Sequence, residues 1–366
     1  MNADPGHSST NNIHNNDNNN FSHKVQLDHV AHVHYQHPDL AKTHRFLLDF
    51  GLTSVLETPT RIYYSGFGAQ PYIYVAEQSP NSDRAFVGGA WVVKSYADLE
   101  LAAGLPNASE IQEADGPGGG KVVIVKDPNG FEMRLLHGQE PRQAETPEQL
   151  SEANTASKKP RKGAFVRIKP SPCKVHKLGH YGYCVKHTVF QDTLKWYTSH
   201  FNMSLTDVVY DPSLGMDTTC FYHIDKGVEY TDHHSFFLAA QSDDKSNHVH
   251  HSSFEVLDMD SEYLGHDWLR GKGWVNAWGV GRHVLGSQIF DYWFDASGNI
   301  VEHYSDGDLV NSDTPVSRLP EAPETLFVWG PNIPLAFLTG NVEDANSSIV
   351  LQPPDVELSM PAVLAS

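Results

Sequence analysis

The chain has 366 residues, which is more than one hydrophobic core normally supports and therefore favours two domains. Its 26 basic and 45 acidic side chains give a formal charge of −19, which argues against a protein that binds nucleic acid through its phosphates. No apolar run approaches the roughly 20 residues that span a bilayer, and no signal peptide is recognisable. Three cysteines without a paired spacing indicate free thiols in a reducing compartment, so we expect a cytoplasmic protein that does not bind membranes.

The N-terminal half of the chain divides by composition into three segments. Residues 1–25 form a polar, asparagine-rich tract that we predict to be disordered, because it holds too few apolar residues to offset the entropy of ordering. Residues 26–137 show strand and helix patterns, which predict a first domain. Residues 138–173 are rich in Pro, Glu, Ser and Lys, which is typical of a linker.

The second structured region, residues 174–310, repeats the plan of the first. Residues 32–52 and residues 180–203 each show a strand-like opening followed by a helix. Later in each half, residues 122–136 and residues 290–304 read as two β-rich runs joined by a D-x-x-G turn. This pattern predicts a hairpin at the same place in both halves.

Two further segments, residues 88–100 and 251–265, begin like these units, so the chain holds about four of them. Each unit consists of a strand, a helix and several antiparallel strands, which predicts an α+β fold. Residues 311–340 contain an apolar segment that we expect to cover part of the second domain. The tail, residues 341–366, has no periodicity.

Two histidines and one glutamate occupy matching positions in the second half. His180 opens the strand HYGYCV, His251 opens HSSFEV, and Glu302 follows the glycine of the DASG turn by four residues, inside an apolar strand. Two histidines and one carboxylate leave open positions on a metal ion, and this ligand set is typical of non-haem Fe(II) oxygenases. The shared register favours a metal site over three unrelated structural residues.

The segment NHVHHSSFEV, residues 247–256, contains more histidines than one such site needs. Strand alternation predicts that His250 and His251 lie on opposite faces, and the register selects His251 as the ligand. A rival hypothesis takes His248, His250 and Glu255 as the H-x-H-x4-E metal motif of cupins. The glycines expected around that motif are missing, so the rival hypothesis is the weaker one.

The first half lacks an equivalent ligand set. His32 opens its first strand, but the next unit begins GGAWVV without a histidine in register. Arg134 stands at the position that Glu302 occupies in the second half. We therefore predict that residues 26–137 form a degenerate domain that binds no metal and has a packing role.

Residues 26–137 and 174–310 resemble the vicinal-oxygen-chelate superfamily, and within it the two-domain type I extradiol ring-cleavage dioxygenases. The family frame GRH…Y…DPxGxxxE is similar to the GRH that ends at His283, the tyrosine Tyr292 and the DASGNIVE that ends at Glu302, with both spacings kept. The resemblance implies four repeated βαβββ modules, paired into two tandem domains, each a half-open antiparallel barrel.

The segment DHHSFFLAA resembles the family segment that carries an active-site histidine upstream of the second metal ligand. This histidine is His234, with its neighbour His233 as the alternative. The resemblance also implies His180, His251 and Glu302 as the metal ligands.

The implied activity is that of an extradiol dioxygenase, which inserts both atoms of O2 into a catechol chelated to Fe(II), with Mn(II) as a possible substitute. His234 would act as the acid and base, and His283 and Tyr292 would hydrogen-bond the substrate oxygens. The expected partner is a small aromatic molecule with two adjacent hydroxyls, and the expected assembly is a homo-oligomer. No arginine matches the family's binders of carboxylated catechols, which favours a neutral or bulky substrate.

Two alternatives remain open. The chain could be another metalloenzyme of the superfamily, such as a glyoxalase-like isomerase or a hydroxyphenylpyruvate-type dioxygenase. It could also be a non-catalytic small-molecule-binding protein of the same fold, which would need no intact metal site.

Overall fold

The structure is a computed structural model that describes residues 24–147 and 153–346. Most of the tract predicted to be disordered and most of the C-terminal tail therefore lie outside the described residues. At the start of the described chain, Val25 is buried and its N–H donates to the carbonyl of His200. None of the described helices is both long and apolar enough to cross a membrane.

The first half contains two consecutive units of one strand, one helix and three strands. The elements are β1 (Leu27–His37), α1 (Leu40–Phe50), β2 (Thr53–Glu57), β3 (Arg61–Ser65), β4 (Tyr74–Gln78), β5 (Ala85–Val93), α2 (Tyr96–Ala103), β6 (Gln112–Glu113), β7 (Lys121–Lys126) and β8 (Glu132–His137). Among the described residues these strands form one sheet in the order β2-β3-β4-β1-β5-β8-β7-β6.

The second half repeats this arrangement, with a short extra strand. Its elements are β9 (Val175–Lys186), α3 (His187–His200), β10 (Met203–Asp211), β11 (Met216–Ile224), β12 (Thr231–Asp232), β13 (Phe236–Gln241), β14 (His248–Val256), α4 (Met259–Gly271), β15 (Asn276–His283), β16 (Ile289–Phe294) and β17 (Ile300–Ser305). The predicted α+β fold of four βαβββ modules in two tandem domains is confirmed.

The C-terminal part of the described chain adds small elements at the edges of the second sheet. These are β18 (Leu309–Val310), β19 (Ser317–Pro320), a 3-10 turn (Pro323–Thr325), β20 (Phe327–Trp329), α5 (Leu335–Thr339) and a second 3-10 turn (Val342–Asn346). In this part of the structure the second sheet runs β19-β10-β11-β13-β9-β14-β17-β16-β15-β20, and β12 pairs with β18.

Both sheets are mixed, whereas the sequence predicted antiparallel barrels. The first and last strands of every module lie side by side and run parallel: β1 with β4, β5 with β8, β9 with β13, and β14 with β17. The helix after the first strand brings the chain back to the end of the sheet where that strand began. The second strand of the module therefore runs parallel to the first. Two further reversals make the fourth strand parallel as well.

The predicted D-x-x-G hairpins are present in both halves and have the same turn geometry. Asp295 Oδ1 accepts the backbone N–H groups of Ser297 at 2.7 Å and Asn299 at 2.9 Å, and Gly298 takes a positive φ of 86°. Asp127 and Gly130 play the same parts between β7 and β8. Such aspartate-closed turns set the register of the strands that follow them.

The two halves share one continuous apolar core and several polar contacts. Tyr35 on β1 shares a hydrogen bond of 2.6 Å with Ser252 on β14. His303 on β17 donates from Nε2 to the carbonyl of Phe50 at 2.7 Å. The first half therefore packs against β14 and β17 on the face of the sheet opposite His251 and Glu302.

The segment predicted as a linker has no helix or strand in residues 138–147 and 153–173, the parts of it that the structure describes. Its first portion lies against the first domain, where Arg142 donates to the carbonyl oxygens of Gly66 and Gly68. The three cysteines are buried and unpaired, as predicted.

Candidate metal centre

The three predicted ligands, called the triad below, lie on neighbouring strands of the second sheet: His180 on β9, His251 on β14 and Glu302 on β17. Glu302 Oε2 is 3.3 Å from His180 Nε2 and 3.4 Å from His251 Nε2. The two Nε2 atoms are 3.2 Å apart. Sheet register brings the side chains together, because Ser253 pairs with His180 on one side and with Glu302 on the other.

The spacing of these atoms fits a metal ion bound on one face. An ion about 2.1 Å from each of three ligands at near-right angles sets those ligands about 3.0 Å apart, close to the triangle observed here. Among the described residues, the triad is the one group of His, Cys, Asp or Glu atoms found close enough together to hold an ion.

The carboxylate of Glu302 also lacks the partners that a buried charge requires. Its side chain is 0% exposed, and neither oxygen has a hydrogen-bond partner, although Oε2 lies 3.3 Å and 3.4 Å from the Nε2 atoms of the two histidines. Burial favours the neutral acid, but the two imidazoles outweigh burial and hold the pKa of Glu302 well below its usual value. A buried carboxylate in this state is stabilised by a cation.

The position in the first half that is equivalent to Glu302 holds a side chain of the opposite charge. Ala90 pairs with His32 and with Arg134, just as Ser253 pairs with two members of the triad. The guanidinium of Arg134 thus stands where the second half has a carboxylate, and a guanidinium has no lone pair for a metal. After burial, the charge of Arg134 contributes to lowering the pKa of His32 well below its usual value.

The prediction that His250 and His251 lie on opposite faces is wrong. β14 pairs Val249 with Tyr183 and His251 with Gly182, so His250 is the extra residue of a β-bulge. A bulge interrupts the period-two alternation of a strand. The two histidines consequently face the same side, with their Nδ1 atoms 2.7 Å apart, and His250 is the hydrogen-bond partner of a proposed metal ligand.

The residues of the cupin hypothesis do not converge. His248 is exposed, and its Nδ1 donates to the carbonyl of Ser246. Glu255 is bound to His176 at 2.9 Å and lies 3.7 Å from Lys177, away from the triad. The crowding of histidines in this segment therefore does not form a cupin site.

A cavity of about 140 Å³ is lined by two members of the triad, His180 and His251. Its walls are mainly aromatic and aliphatic, with side chains from Phe221, Phe237, Trp278, Leu285 and Phe337. No lysine or arginine is among its lining residues in the described chain. A larger cleft of about 800 Å³ lies between the two halves, but its lining includes no triad residue. The smaller cavity is the candidate substrate site because two histidines of the triad line it.

The structure separates the two candidates for the acid and base. His234 lines the cavity, and its ring centroid is 4.0 Å from that of His180. His233 lies behind it, with Nε2 2.7 Å from Asp207 Oδ2 and Nδ1 3.0 Å from His234 Nδ1. Burial, followed by the charges of neighbouring histidines, lowers the pKa of His234 well below its usual value. His234 is the residue of the pair that a ligand in the cavity would meet.

His283 and Tyr292 both border the cavity, and His283 Nε2 shares a hydrogen bond of 2.8 Å with the Tyr292 hydroxyl. His283 Nδ1 donates to the carbonyl of Leu326 at 2.7 Å. Burial lowers the pKa of His283 to about 4, so the ring is neutral near pH 7. Its Nε2 is then an acceptor, and the Tyr292 hydroxyl donates to it, which leaves the hydroxyl oxygen free to accept from a ligand.

Several residues of the site were not identified from the sequence. Phe221 and Phe237 lie on the neighbouring strands β11 and β13, where an apolar alternation gave no sign of a cavity. Phe337 reaches the cavity from α5, and its ring centroid is 4.8 Å from that of Tyr292. Asp207 carries no motif, and only its contact with His233 shows its place.

Comparison with known proteins identifies similar sequences. The model of the glyoxalase/bleomycin resistance protein/dioxygenase superfamily matches residues 177–303. Metapyrocatechase 2 from Cupriavidus necator is 26% identical over 314 residues, which cover 84% of this chain and 91% of that protein. The predicted resemblance to the superfamily is confirmed.

Two solved structures share the fold over most of their length. The homoprotocatechuate 2,3-dioxygenase from Brevibacterium fuscum, in complex with 3,4-dihydroxyphenylacetate, is 16% identical with a TM-score of 0.70, covering 86% of this chain and 92% of that one. The Mn(II)-bound glyoxalase from Novosphingobium aromaticivorans is 20% identical with a TM-score of 0.68, covering 85% and 93%.

Proposed function

We propose that this chain, whose residues 177–303 match the glyoxalase and dioxygenase superfamily, is an extradiol dioxygenase that opens the ring of a small catechol with O2. The observation that carries the proposal is the buried carboxylate of Glu302, which has no hydrogen-bond partner and forms a triangle with two imidazoles that line an aromatic cavity. The similarity to metapyrocatechase 2 supports the same reaction class.

We propose Fe(II) as the metal, held by His180, His251 and Glu302, because this ligand set suits non-haem iron. When bound, the ion supplies a chelation point for two adjacent oxygens and a path for electrons to O2. Among the described residues no fourth His, Cys, Asp or Glu atom joins the cluster. Three protein ligands favour the dioxygenase over a glyoxalase-like isomerase, which generally uses four.

The side chains around the cavity supply the proton chemistry. His234 is neutral and uses Nδ1 for its bond to His233, so its Nε2 is available to take a proton from a substrate hydroxyl and to return it later. Tyr292 and His283 lie on the other side and orient the second oxygen. The aromatic walls exclude water. One ring carbon–carbon bond beside the diol breaks and both atoms of O2 enter the product, so no external reductant is needed.

Anaerobic reconstitution with Fe(II), followed by a panel of catechols in air, tests the proposal. We expect O2 uptake and a coloured ring-fission product in a one-to-one ratio. Turnover of the methylglyoxal–glutathione adduct, with no O2 uptake in the presence of any catechol, would instead establish an isomerase.

We also propose, from the family resemblance alone, a homo-oligomeric assembly, which light scattering measures directly.

A further inference from the structure

We infer that Asp207 and His233 are positioning residues that determine which ring nitrogen of His234 carries hydrogen, so that the lone pair of His234 Nε2 is the one offered to the cavity. The inference rests on the proposed function, because it explains how the proposed acid and base is held ready. Neither the metal triad nor the cavity walls include these two residues.

The three side chains form a row that ends at the cavity. Asp207 Oδ2 lies 2.7 Å from His233 Nε2, and His233 Nδ1 lies 3.0 Å from His234 Nδ1. All three residues are buried, with exposures of 6%, 5% and 4% in chain order. Solvent therefore does not compete for these hydrogen bonds, and each atom's partner within the row decides its role.

The direction of the first bond follows from Asp207, and that of the second bond follows from the neutral form of His233. An ionised carboxylate can only accept, so Asp207 fixes the hydrogen of His233 on Nε2. A neutral His233 then has a lone pair on Nδ1, which can only accept the Nδ1–H of His234. The hydrogen of neutral His234 is thereby placed on Nδ1, and its Nε2 is left as a base.

The surrounding backbone holds His233 in this position. Its N–H donates to the carbonyl of Asp308 at 3.0 Å, and its own carbonyl accepts from Thr206 Oγ1 at 2.8 Å. Thr206 is the bulged residue of β10, directly before Asp207. Gly286 lies against the ring, where a Cβ atom would come within 2.9 Å of His233 Nδ1. These contacts fix the backbone of His233 and bring Gly286 against its ring.

A substitution that reverses the direction of the hydrogen bond between Asp207 and His233 tests the inference. In Asp207→Asn the amide can donate to His233 Nε2, which would place hydrogens on His233 Nδ1 and then on His234 Nε2. The corresponding change in serine proteases costs about 10⁴ in kcat, and we expect a smaller loss of about 10- to 100-fold here because an amide can also turn. KM for catechol and the iron content should not change.

A second substitution separates positioning from packing. His233→Asn places a carbonyl near the former Nδ1 and cuts the link to Asp207, so His234 keeps an acceptor and we expect kcat within about fivefold of wild type. In that background Asp207→Asn should have no further effect. Equal losses from Asp207→Asn in both backgrounds, or a loss of kcat that follows a loss of iron or of melting temperature, would overturn the inference.

Nitrogen-15 NMR of histidine-labelled, Zn(II)-substituted wild-type protein tests the inference without relying on activity. The signals of His234 are identified by their loss in His234→Gln. We expect hydrogen on Nδ1, and hydrogen on Nε2 would contradict the inference. If wild-type protein cleaves no catechol, the proposed function fails, but this measurement still shows which ring nitrogen of His234 carries hydrogen.

Discussion

At the scale of single residues, the charge of Glu302 dominates the site. It is a fully buried acid whose oxygens have no hydrogen-bond partner, while two imidazoles keep it ionised. Glu262 on α4 is equally buried but differs in chemistry: it accepts from the Ser305 hydroxyl, and burial raises its pKa well above the usual value. The same side chain is thus an anion and a proposed metal ligand in one place, and a neutral core acid in another.

This contrast gives a matched test of the metal site. Glu302→Gln removes the anionic ligand, and we expect Fe(II) affinity and ring cleavage to fall together, by at least about tenfold, while the protein stays folded. Glu262→Gln replaces one neutral group by another of the same shape and should leave iron content unchanged. Iron content measured after dialysis, beside the melting temperature, compares the two variants. Full iron loading in Glu302→Gln would remove it from the ligand set.

His250 gives a second prediction at this scale. Its Nδ1 lies 2.7 Å from Nδ1 of His251, and such outer partners commonly contribute about 10- to 100-fold to metal affinity. We expect His250→Phe to weaken Fe(II) binding by an amount in that range, measured by competition with a chelator. The exposed His248, two residues earlier, is the control, and His248→Ala should bind iron like wild type. Equal affinities in both variants would show that the contact does not support the ligand.

At the scale of elements, the site depends on where strands depart from regular geometry. The bulge in β14 turns His250 toward the cavity, and the bulge in β10 precedes Asp207. The aspartate-closed turn before β17 sets the register that places Glu302 opposite Tyr292. Regular alternation alone would have produced a sheet with the same topology but a different set of side chains around the cavity.

Helix α5 is the element that covers the cavity. Phe337 packs within 4.8 Å, between ring centroids, of both Trp278 and Tyr292, and the neighbouring Leu326 carbonyl holds His283. We expect Phe337→Ala to raise KM for catechol about 3- to 10-fold through lost apolar contact, with iron content unchanged. The exposed Leu338 is the control, because Leu338→Ala should leave KM unaltered. A KM for Phe337→Ala equal to that of the control would indicate that α5 is remote from bound substrate.

At the scale of the whole molecule, the two halves have different roles. The second half holds the triad and the cavity, whereas the first half places Arg134 at the matching position and contacts the back of β14 and β17. The cavity has a volume of about 140 Å³ without a lysine or arginine in its described lining. An apolar cavity of about 150 Å³ accommodates benzene, so the site suits a single ring without a charged substituent.

We therefore expect catechol and methylcatechols to be preferred over carboxylated catechols. Burying a carboxylate without a cationic partner is costly, and kcat/KM for 3,4-dihydroxyphenylacetate should be lower than for 4-methylcatechol by at least about 100-fold. Steady-state rates on matched substrates measure this ratio. Comparable values would mean that a cation from outside the described lining reaches the carboxylate.

Much of the architecture and the central ligands could be predicted because their signals are local and repeated. Strand alternation, helix periodicity and the D-x-x-G turn each act over a few residues, and the likeness of the two halves aligned His180, His251 and Glu302 without knowledge of the fold. The parallel pairing within modules was missed, because it depends on how each helix returns the chain to its strand.

The sequence by itself determined the four modules and the register of the three proposed ligands, because both rest on spacing along the chain. The family resemblance supplied His234, with His233 as the alternative. Only the tertiary structure decided that His250 shares a face with His251, that Asp207 supports His233 across 26 residues, and that Phe337 closes the cavity. Bulges and contacts between distant segments bring these side chains together, and packing in three dimensions selects them without a periodic signal in the sequence.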